Sequence, residues 1–398
     1  MYWLLFSLAT FLSVALHGVE SECIIPIWSQ MSDANRLPHM TYYKNGKYQQ
    51  VLPSSGTISI DEGGSIILTC SGCSARNYLK FAESESSATV TCRHSSLYYK
   101  GIRLDFNRDV KCKKLICNAV TTSGQCGGSG SQYQIGYDVY NEADMLTDVV
   151  SCYDHSSWIP LYASHVIHGR NLEGSRQIPR PEFKKEKLDN GKLVSDVFQQ
   201  RNQTEIFKHL TGTDKYITRS NYLEKGHLAP QGDFVYPTSQ VSSYFYINVV
   251  PQWKSINNGN WKSVEYDVRQ FANRSLNDVL VYTGSYDVLN LDRKPIHLVQ
   301  DRYLPVPKYI WKIVYATLAP GKYGAIVLIV LNNPYANQAE PLCRSICGPY
   351  GWNKADRSSF SKGHVHCCDY REFRLKVPFV PQLEVTEVLS GPNPKTLI

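Results

Sequence analysis

Twelve cysteines constrain this chain more than any other feature, and they fall into two groups. Eight lie between Cys23 and Cys152: Cys23, Cys70, Cys73, Cys92, Cys112, Cys117, Cys126 and Cys152. Four lie late, at Cys343, Cys347, Cys367 and Cys368. Their chemistry depends on the redox compartment. The opening stretch MYWLLFSLATFLSVALHG is apolar from Tyr2 to Leu16, too short for an ordinary membrane span. It reads as a secretory signal cleaved near Gly18 to Ser21, although a basic n-region is missing. Outside the cell the cysteines are expected to pair as disulfides. Eight and four are both even, so each group can close its own bridges, with the pairing left open.

Secretion also decides the reading of Lys362 to Tyr370, KGHVHCCDY, where His364, His366, Cys367 and Cys368 crowd together. Adjacent cysteines are poorly spaced for zinc. Disulfides to Cys343 and Cys347 are the better expectation. Sequons at Asn202 and Asn273 suit a secreted glycoprotein. No later segment holds the ~20 continuous apolar residues of a membrane helix. No membrane association is therefore expected after signal cleavage, and YGAIVLIVL (Tyr323 to Leu331) reads as a buried strand. The formal charge of +7 mildly favours a polyanionic partner.

Between Cys23 and about Cys126, GTISI, SIILTC and ATVTC alternate apolar and polar residues like half-buried strands. A small disulfide-rich β domain is expected there. The glycines and serines of SGQCGGSGSQ (Ser123 to Gln132) make it the most linker-like stretch. The expected division is a signal peptide at 1–21, a cysteine-rich β domain at 22–135 and a second domain at 136–398. In the latter, WIPLYASHVIHG, WKIVYATLA and YGAIVLIVL read as strands. From about Asn257 a helix is expected, because Trp261, Val264, Val268 and Phe271 recur at three- and four-residue steps.

Four polar residues around that helix stand out: His227, Asn248, Asn257 and Glu265. His227 sits in EKGHLAP, and Asn248 ends an aromatic, β-branched run expected to be a strand. Asn257 opens the helix, where it would most simply cap it. Glu265 follows two turns later on roughly the same side. A strand histidine, a second strand and a helix opening on asparagine can converge on one point.

This spacing resembles the DNA/RNA non-specific endonuclease family, the ββα-metal nucleases of the Serratia nuclease and endonuclease G type. The family pattern is Asp-Arg-Gly-His, Asn-x-x-Pro-Gln, Asn-x-x-x-Trp and a Glu four residues after that Trp. Its positions here are Glu224, Lys225, Gly226 and His227, then Asn248, Pro251 and Gln252, then Asn257, Trp261 and Glu265. The resemblance is close over residues 222 to 266 and loose over 135 to 390. With the signal and the cysteine-rich front, the chain resembles the secreted arthropod nucleases of this family. Two positions depart from the pattern: Glu224 stands for the usual Asp, and Lys225 for the usual Arg, which alone could grip a phosphate bidentately.

The resemblance implies an α+β fold. A ββα-metal nuclease domain, with a central antiparallel sheet and flanking helices, would follow a small disulfide-rich β domain. It implies a Mg²⁺-dependent endonuclease, with Mn²⁺ as the alternative ion, hydrolysing DNA, double-stranded RNA or both to 5′-phosphate ends. His227 would be the general base and Asn257 the metal ligand. Glu265 would orient water at the metal, and Asn248 would help place the histidine or the phosphate. Lys225 would contact phosphate, as would Arg180, which is favoured over Arg176 in SRQIPRPEF. Trp261 is expected in the core. The rival expectation is a catalytically impaired, secreted nucleic-acid-binding protein on the same fold, supported by the change at Lys225.

Overall fold

A computed structural model describes residues 22–29, 36–72, 76–139, 144–184, 193–299 and 302–392. The expected signal peptide and Cys73 lie outside the described residues. The front of the chain forms eight short strands, as its alternating stretches predict. They are β1 (Cys23–Pro26), β2 (His39–Lys44), β3 (Lys47–Gln50), β4 (Thr57–Ile60), β5 (Ser65–Thr69), β6 (Ser87–Arg93), β7 (Ser96–Tyr99) and β8 (Ile102–Leu104). β1 pairs with β4, and the others make a six-stranded sheet in the order β3-β2-β5-β6-β7-β8. Bridges Cys23–Cys92 and Cys70–Cys112 staple this small core, and Cys117 is also disulfide-bonded. Such bridges stabilise chiefly by restricting the unfolded chain, which helps a small module.

Next come β9 (Ala119–Cys126), β10 (Gly130–Val139), β11 (Asp144–Asp154) and β12 (Ile159–His168). The stretch expected as a linker is thus the turn of the β9–β10 hairpin. Gly127 and Gly128 adopt φ of 56° and 88°, a region glycine enters at no steric cost. The disulfide Cys126–Cys152 ties this hairpin to β11. The expected boundary at 135/136 therefore falls inside β10, and the large sheet already begins at Ala119.

Helices α1 (Val194–Val197) and α2 (Gln200–Thr211) lead to β13 (Leu223–His227), α3 (Pro237–Ser242) and β14 (Val249–Trp253). A single helical turn, α4 (Lys254–Ile256), precedes α5 (Lys262–Ser275), and the wide turn Asn257–Trp261 joins the two. The chain continues through β15 (Asp278–Val288) and two small hairpins. These are β16 (Asn290–Leu291) with β17 (Lys294–Pro295), and β18 (His297–Val299) with β19 (Tyr303–Pro305). It ends with β20 (Pro307–Ala319), β21 (Lys322–Leu331), β22 (Val365–Cys368), α6 (Tyr370–Lys376) and β23 (Glu387–Val388).

The large sheet has nine strands in the order β22-β21-β20-β15-β12-β11-β10-β9. Each neighbour is antiparallel, and β23 is added parallel to β21. The fold is the expected α+β arrangement with a central antiparallel sheet. Both faces are covered. Ile310, Val314, Ile326, Leu328 and Val330 join a core that includes Val264, Val268 and Ala272 of α5. The alternate residues Trp311, Ile313, Val327 and Ile329 pack with Tyr370 and Phe373 of α6. Double coverage explains why β21 reads as a continuous apolar run. Disulfides Cys343–Cys368 and Cys347–Cys367 close the late group as expected, so its cysteines are not metal ligands.

The front module does not hang free. Tyr137, Ile178 and Tyr236 pack into the same apolar cluster as Ile25, Trp28 and Met40. Tyr236 donates to the Val51 carbonyl, and Asn171 Nδ2 donates to the Pro53 carbonyl at 2.9 Å.

Burial also sets how the fold answers acid. His39 and His366 are each 2% exposed. Burial pushes His39 down to about 3, and burial with His364 alongside pushes His366 down to about 4. An unfolded histidine protonates near pH 6.5, so between there and pH 4 the unfolded chain binds protons that the folded chain refuses. Stability is expected to fall in that window by about 1.4 kcal/mol per pH unit for each such histidine. Urea midpoints at pH 7 and 4.5 measure this, and a His39→Asn, His366→Asn variant should show a shallower slope. An unchanged slope counts against the assignment.

Candidate active site

The strand β13 pairs antiparallel with β14, matching Leu223 to Trp253 and His227 to Val249. The helical segment follows β14 directly and completes a ββα unit whose two strands are joined through α3. Gly226 is required by this packing: a Cβ there would stand 2.5 Å from Gln252 Oε1 and 2.7 Å from its Cβ. Trp253 and Trp261 are buried in the core below, as expected for Trp261.

A cleft of about 900 Å³ opens over this unit and is lined by Arg180, Glu224, Lys225, His227, Asn257 and Glu265. Five of the six residues expected at the site are thus brought together, and Glu224 joins them. The sixth, Asn248, is not there. It is fully buried in the 3-10 turn Tyr246–Asn248 that precedes β14, not in a strand. Its Oδ1 accepts from the Ala229 amide at 2.9 Å, and its Nδ2 donates to the carbonyls of Ala229 and Ser243. It fixes the chain just past His227 and does not line the cleft.

His227 is half-buried, with Phe183 at 5.2 Å and Tyr244 at 5.0 Å between ring centroids. Its Nε2 is buried and has no hydrogen-bond partner among the described residues. Burial, followed by the charges of Arg180 and Lys225, lowers its pKa to about 4. The ring is therefore a neutral base at physiological pH.

Asn257 lies inside the wide turn with helical φ/ψ and makes no side-chain cap, so the helix-cap expectation fails. The turn arises at Gly259, whose φ of −96° and ψ of −121° break the helix where a Cβ would meet the Lys362 carbonyl at 2.7 Å. Asn257 Nδ2 donates to Glu224 Oε2 at 2.9 Å, and Asn258 Nδ2 donates to the same oxygen at 2.9 Å. With its NH₂ so held, Asn257 keeps Oδ1 as a free acceptor among the described residues. A hard divalent cation prefers such an oxygen.

Glu265 has no hydrogen-bond partner among the described residues. Burial raises its carboxyl to about 7, against the charges of Lys312 and Arg269. Lys225 Nζ sits 4.8 Å from the ring centroid of Phe183 and 5.4 Å from that of Tyr246, and burial lowers its pKa. Arg180 and Arg176 are both exposed, but only Arg180 lines the cleft.

Behind Glu265 lies a buried polar group that the sequence reading missed. His165 Nε2 is 2.7 Å from Asp233 Oδ2, and Arg269 Nη1 donates to Asp233 Oδ1 at 2.8 Å. Burial alone would raise Asp233, but the His165 hydrogen bond and the Arg269 charge bring it to about 2. Lys312, fully buried on β20, donates to Thr283 Oγ1 at 2.5 Å and lies 5.5 Å from the Trp261 ring centroid. Its one available signal was a lysine inside the apolar run KYIWKIVYATLA, since a buried lysine calls for acid partners.

The sequence profile of the DNA/RNA non-specific endonuclease family matches residues 128–370. The chain is 29% identical to a salivary endonuclease of Lutzomyia longipalpis over 329 residues, 81% of this chain and 75% of that protein. It is 25% identical to salivary protein Tsal1 of Glossina morsitans morsitans over 97% of this chain and 98% of that one. A salivary endonuclease of Culex quinquefasciatus is 35% identical over 169 residues, 39% of this chain and 44% of that protein. Among solved structures, a chain of the EndoG/EndoGI complex aligns at a TM-score of 0.41 and 13% identity. That alignment covers 64% of this chain and 92% of that one.

Proposed function

Because the chain belongs to the DNA/RNA non-specific endonuclease family, we propose that it is a secreted, Mg²⁺-dependent endonuclease. Its substrates would be phosphodiesters in DNA, double-stranded RNA or both, cut to 5′-phosphate ends. One observation carries this reading. An imidazole nitrogen and a carboxamide oxygen without partners among the described residues, His227 Nε2 and Asn257 Oδ1, belong to residues lining the same cleft. Secretion is supported by the disulfides and by relatives described as salivary. We propose that the cysteine-rich front, ending before Ala119, is accessory to this activity.

The donor set fits a hard cation: Asn257 offers a neutral oxygen and Glu265 an unbonded carboxyl in the same cleft. Bound there, Mg²⁺ or Mn²⁺ would neutralise charge on the phosphate and on the leaving oxygen. Glu224 holds the Asn257 amide in the orientation that presents its oxygen. Lys225 and Arg180 attract and seat the phosphate. His227 Nε2 takes a proton from water while the water oxygen attacks phosphorus, and the bond from phosphorus to the 3′-oxygen breaks. Glu265 orients that water. These groups address phosphate and ion, not base edges, so weak sequence preference is expected.

Plasmid DNA and double-stranded RNA incubated with the purified chain test the reading. Strand breaks are expected with Mg²⁺ and none after a chelator. Both substrates intact with Mg²⁺ would overturn the enzymatic reading. Salt-sensitive binding without breaks would leave the impaired, nucleic-acid-binding alternative in its place.

A further inference from the structure

Strand β2 pairs with β5 only from His39 to Thr41, so the chain from Tyr42 to Gln49 stands out past the sheet as a two-stranded ribbon. β3 is an edge strand of that sheet among the described residues. The tip is fixed by Asn45 and Gly46, whose φ of 54° and 77° match the tight turn favoured by Asn-Gly. Successive side chains alternate between faces. One face carries Tyr42, Lys44, Lys47 and Gln49, and the other carries Tyr43 against Tyr48 at 4.9 Å between centroids. Tyr43 is 59% exposed, and both lysines are exposed.

Lys44 and Lys47 sit directly opposite each other. Like charges in that position destabilise a ribbon. Neither lysine has an ion-pair partner among the described residues. An isolated hairpin is at best marginally stable, yet this one is anchored at its base. β3 packs on β11, and Gln50 and Leu52 line a cavity with Asp148 and Val150 of that strand. Residues 22–118 hold twelve Lys and Arg against eight Asp and Glu, a surplus of four within the chain's +7.

We infer that this ribbon is a second nucleic-acid contact, gripping the phosphate backbone of the substrate outside the catalytic cleft. This rests on the nuclease reading of the cleft. An anion between Lys44 and Lys47 would relieve their repulsion, and on the same face Tyr42 Oη donates to Gln49 Oε1 at 2.8 Å, which turns the Gln49 amide so that Nε2 is left as a further donor. The ribbon carries tyrosines and no Trp, Phe or Leu, which fits a wet polyanion better than a lipid surface.

The test uses the full chain carrying His227→Ala, with a labelled duplex followed by fluorescence anisotropy. Lys44→Gln/Lys47→Gln should reduce the slope of log affinity against log salt by about two. Lys44→Glu/Lys47→Glu should weaken binding about tenfold or more at physiological salt. In the active chain the same changes should raise KM for long nucleic acid while leaving kcat, and cleavage of a small phosphodiester, unchanged. An unaltered melting temperature separates these effects from misfolding. Equal affinity and slope in both variants overturn the inference, as does loss of binding to anionic vesicles with nucleic-acid affinity intact. If the parent binds and cuts but the variants match it, only the ribbon fails. If the parent binds no nucleic acid, the reading of the cleft fails as well.

Discussion

His227→Ala is expected to slow cleavage of plasmid DNA and double-stranded RNA by about 10²- to 10⁴-fold, the span of well-placed general-base catalysis. Binding of substrate should change little, because Lys225 and Arg180 remain in the cleft. The parent's acid limb carries a second signature. A base works only while neutral, so activity is lost as pH falls through its pKa. Burial, with Arg180 and Lys225 nearby, sets that value at about 4 and not in the ordinary histidine range. His227 should therefore stay neutral at pH 5.5, where an unperturbed imidazole would be largely protonated, and any fall in rate between pH 7 and 5.5 should come from Glu265, whose carboxyl burial raises to about 7. Residual activity of His227→Ala should lack this limb. Cleavage by the variant at the parental rate, with its melting temperature unchanged, would remove His227 from the mechanism.

Asn257→Ala should be comparably severe. Charge stabilisation by a bound cation amounts to several kcal/mol, and each ~1.4 kcal/mol is tenfold, so the loss is expected at about 10²- to 10³-fold. Rates measured against Mg²⁺ concentration separate a lost ligand from a damaged fold, since part of the loss should return at high Mg²⁺. Glu224→Gln is the informative companion. A neutral amide accepts the N–H bonds of Asn257 and Asn258 less strongly than a carboxylate does. The partner of a ligand typically contributes ~10- to 100-fold, so Glu224→Gln should shift the Mg²⁺ curve while retaining the parental maximum. Parental Mg²⁺ dependence in Asn257→Ala would assign the ion elsewhere.

Much of this arrangement was legible in the chain. The two-residue alternation of SIILTC and ATVTC gave β5 and β6, and the unbroken apolar run gave β21. His227 and Glu265 could be placed because strand and helix periods fix side-chain direction over a few residues. Composition misled at Ser123 to Gln132, because the same glycines that loosen a linker also permit the positive φ of a hairpin turn. Asn248 has the right spacing for the cleft but turns inward, since the unpaired backbone of Ala229 and Ser243 claims its amide. The group formed by His165, Asp233, Arg269 and Lys312 was not legible, for its members arrive from separate elements and meet only in three dimensions.

The paired bridges Cys343–Cys368 and Cys347–Cys367 have a consequence for durability. Arg344 is exposed on the segment between Cys343 and Cys347, where a protease that cuts after arginine could cleave. A nick there would leave both new ends tethered to β22, so the severed chain would hold its shape and its cleft. Cleavage at this exposed loop would then sever the chain without disarming it.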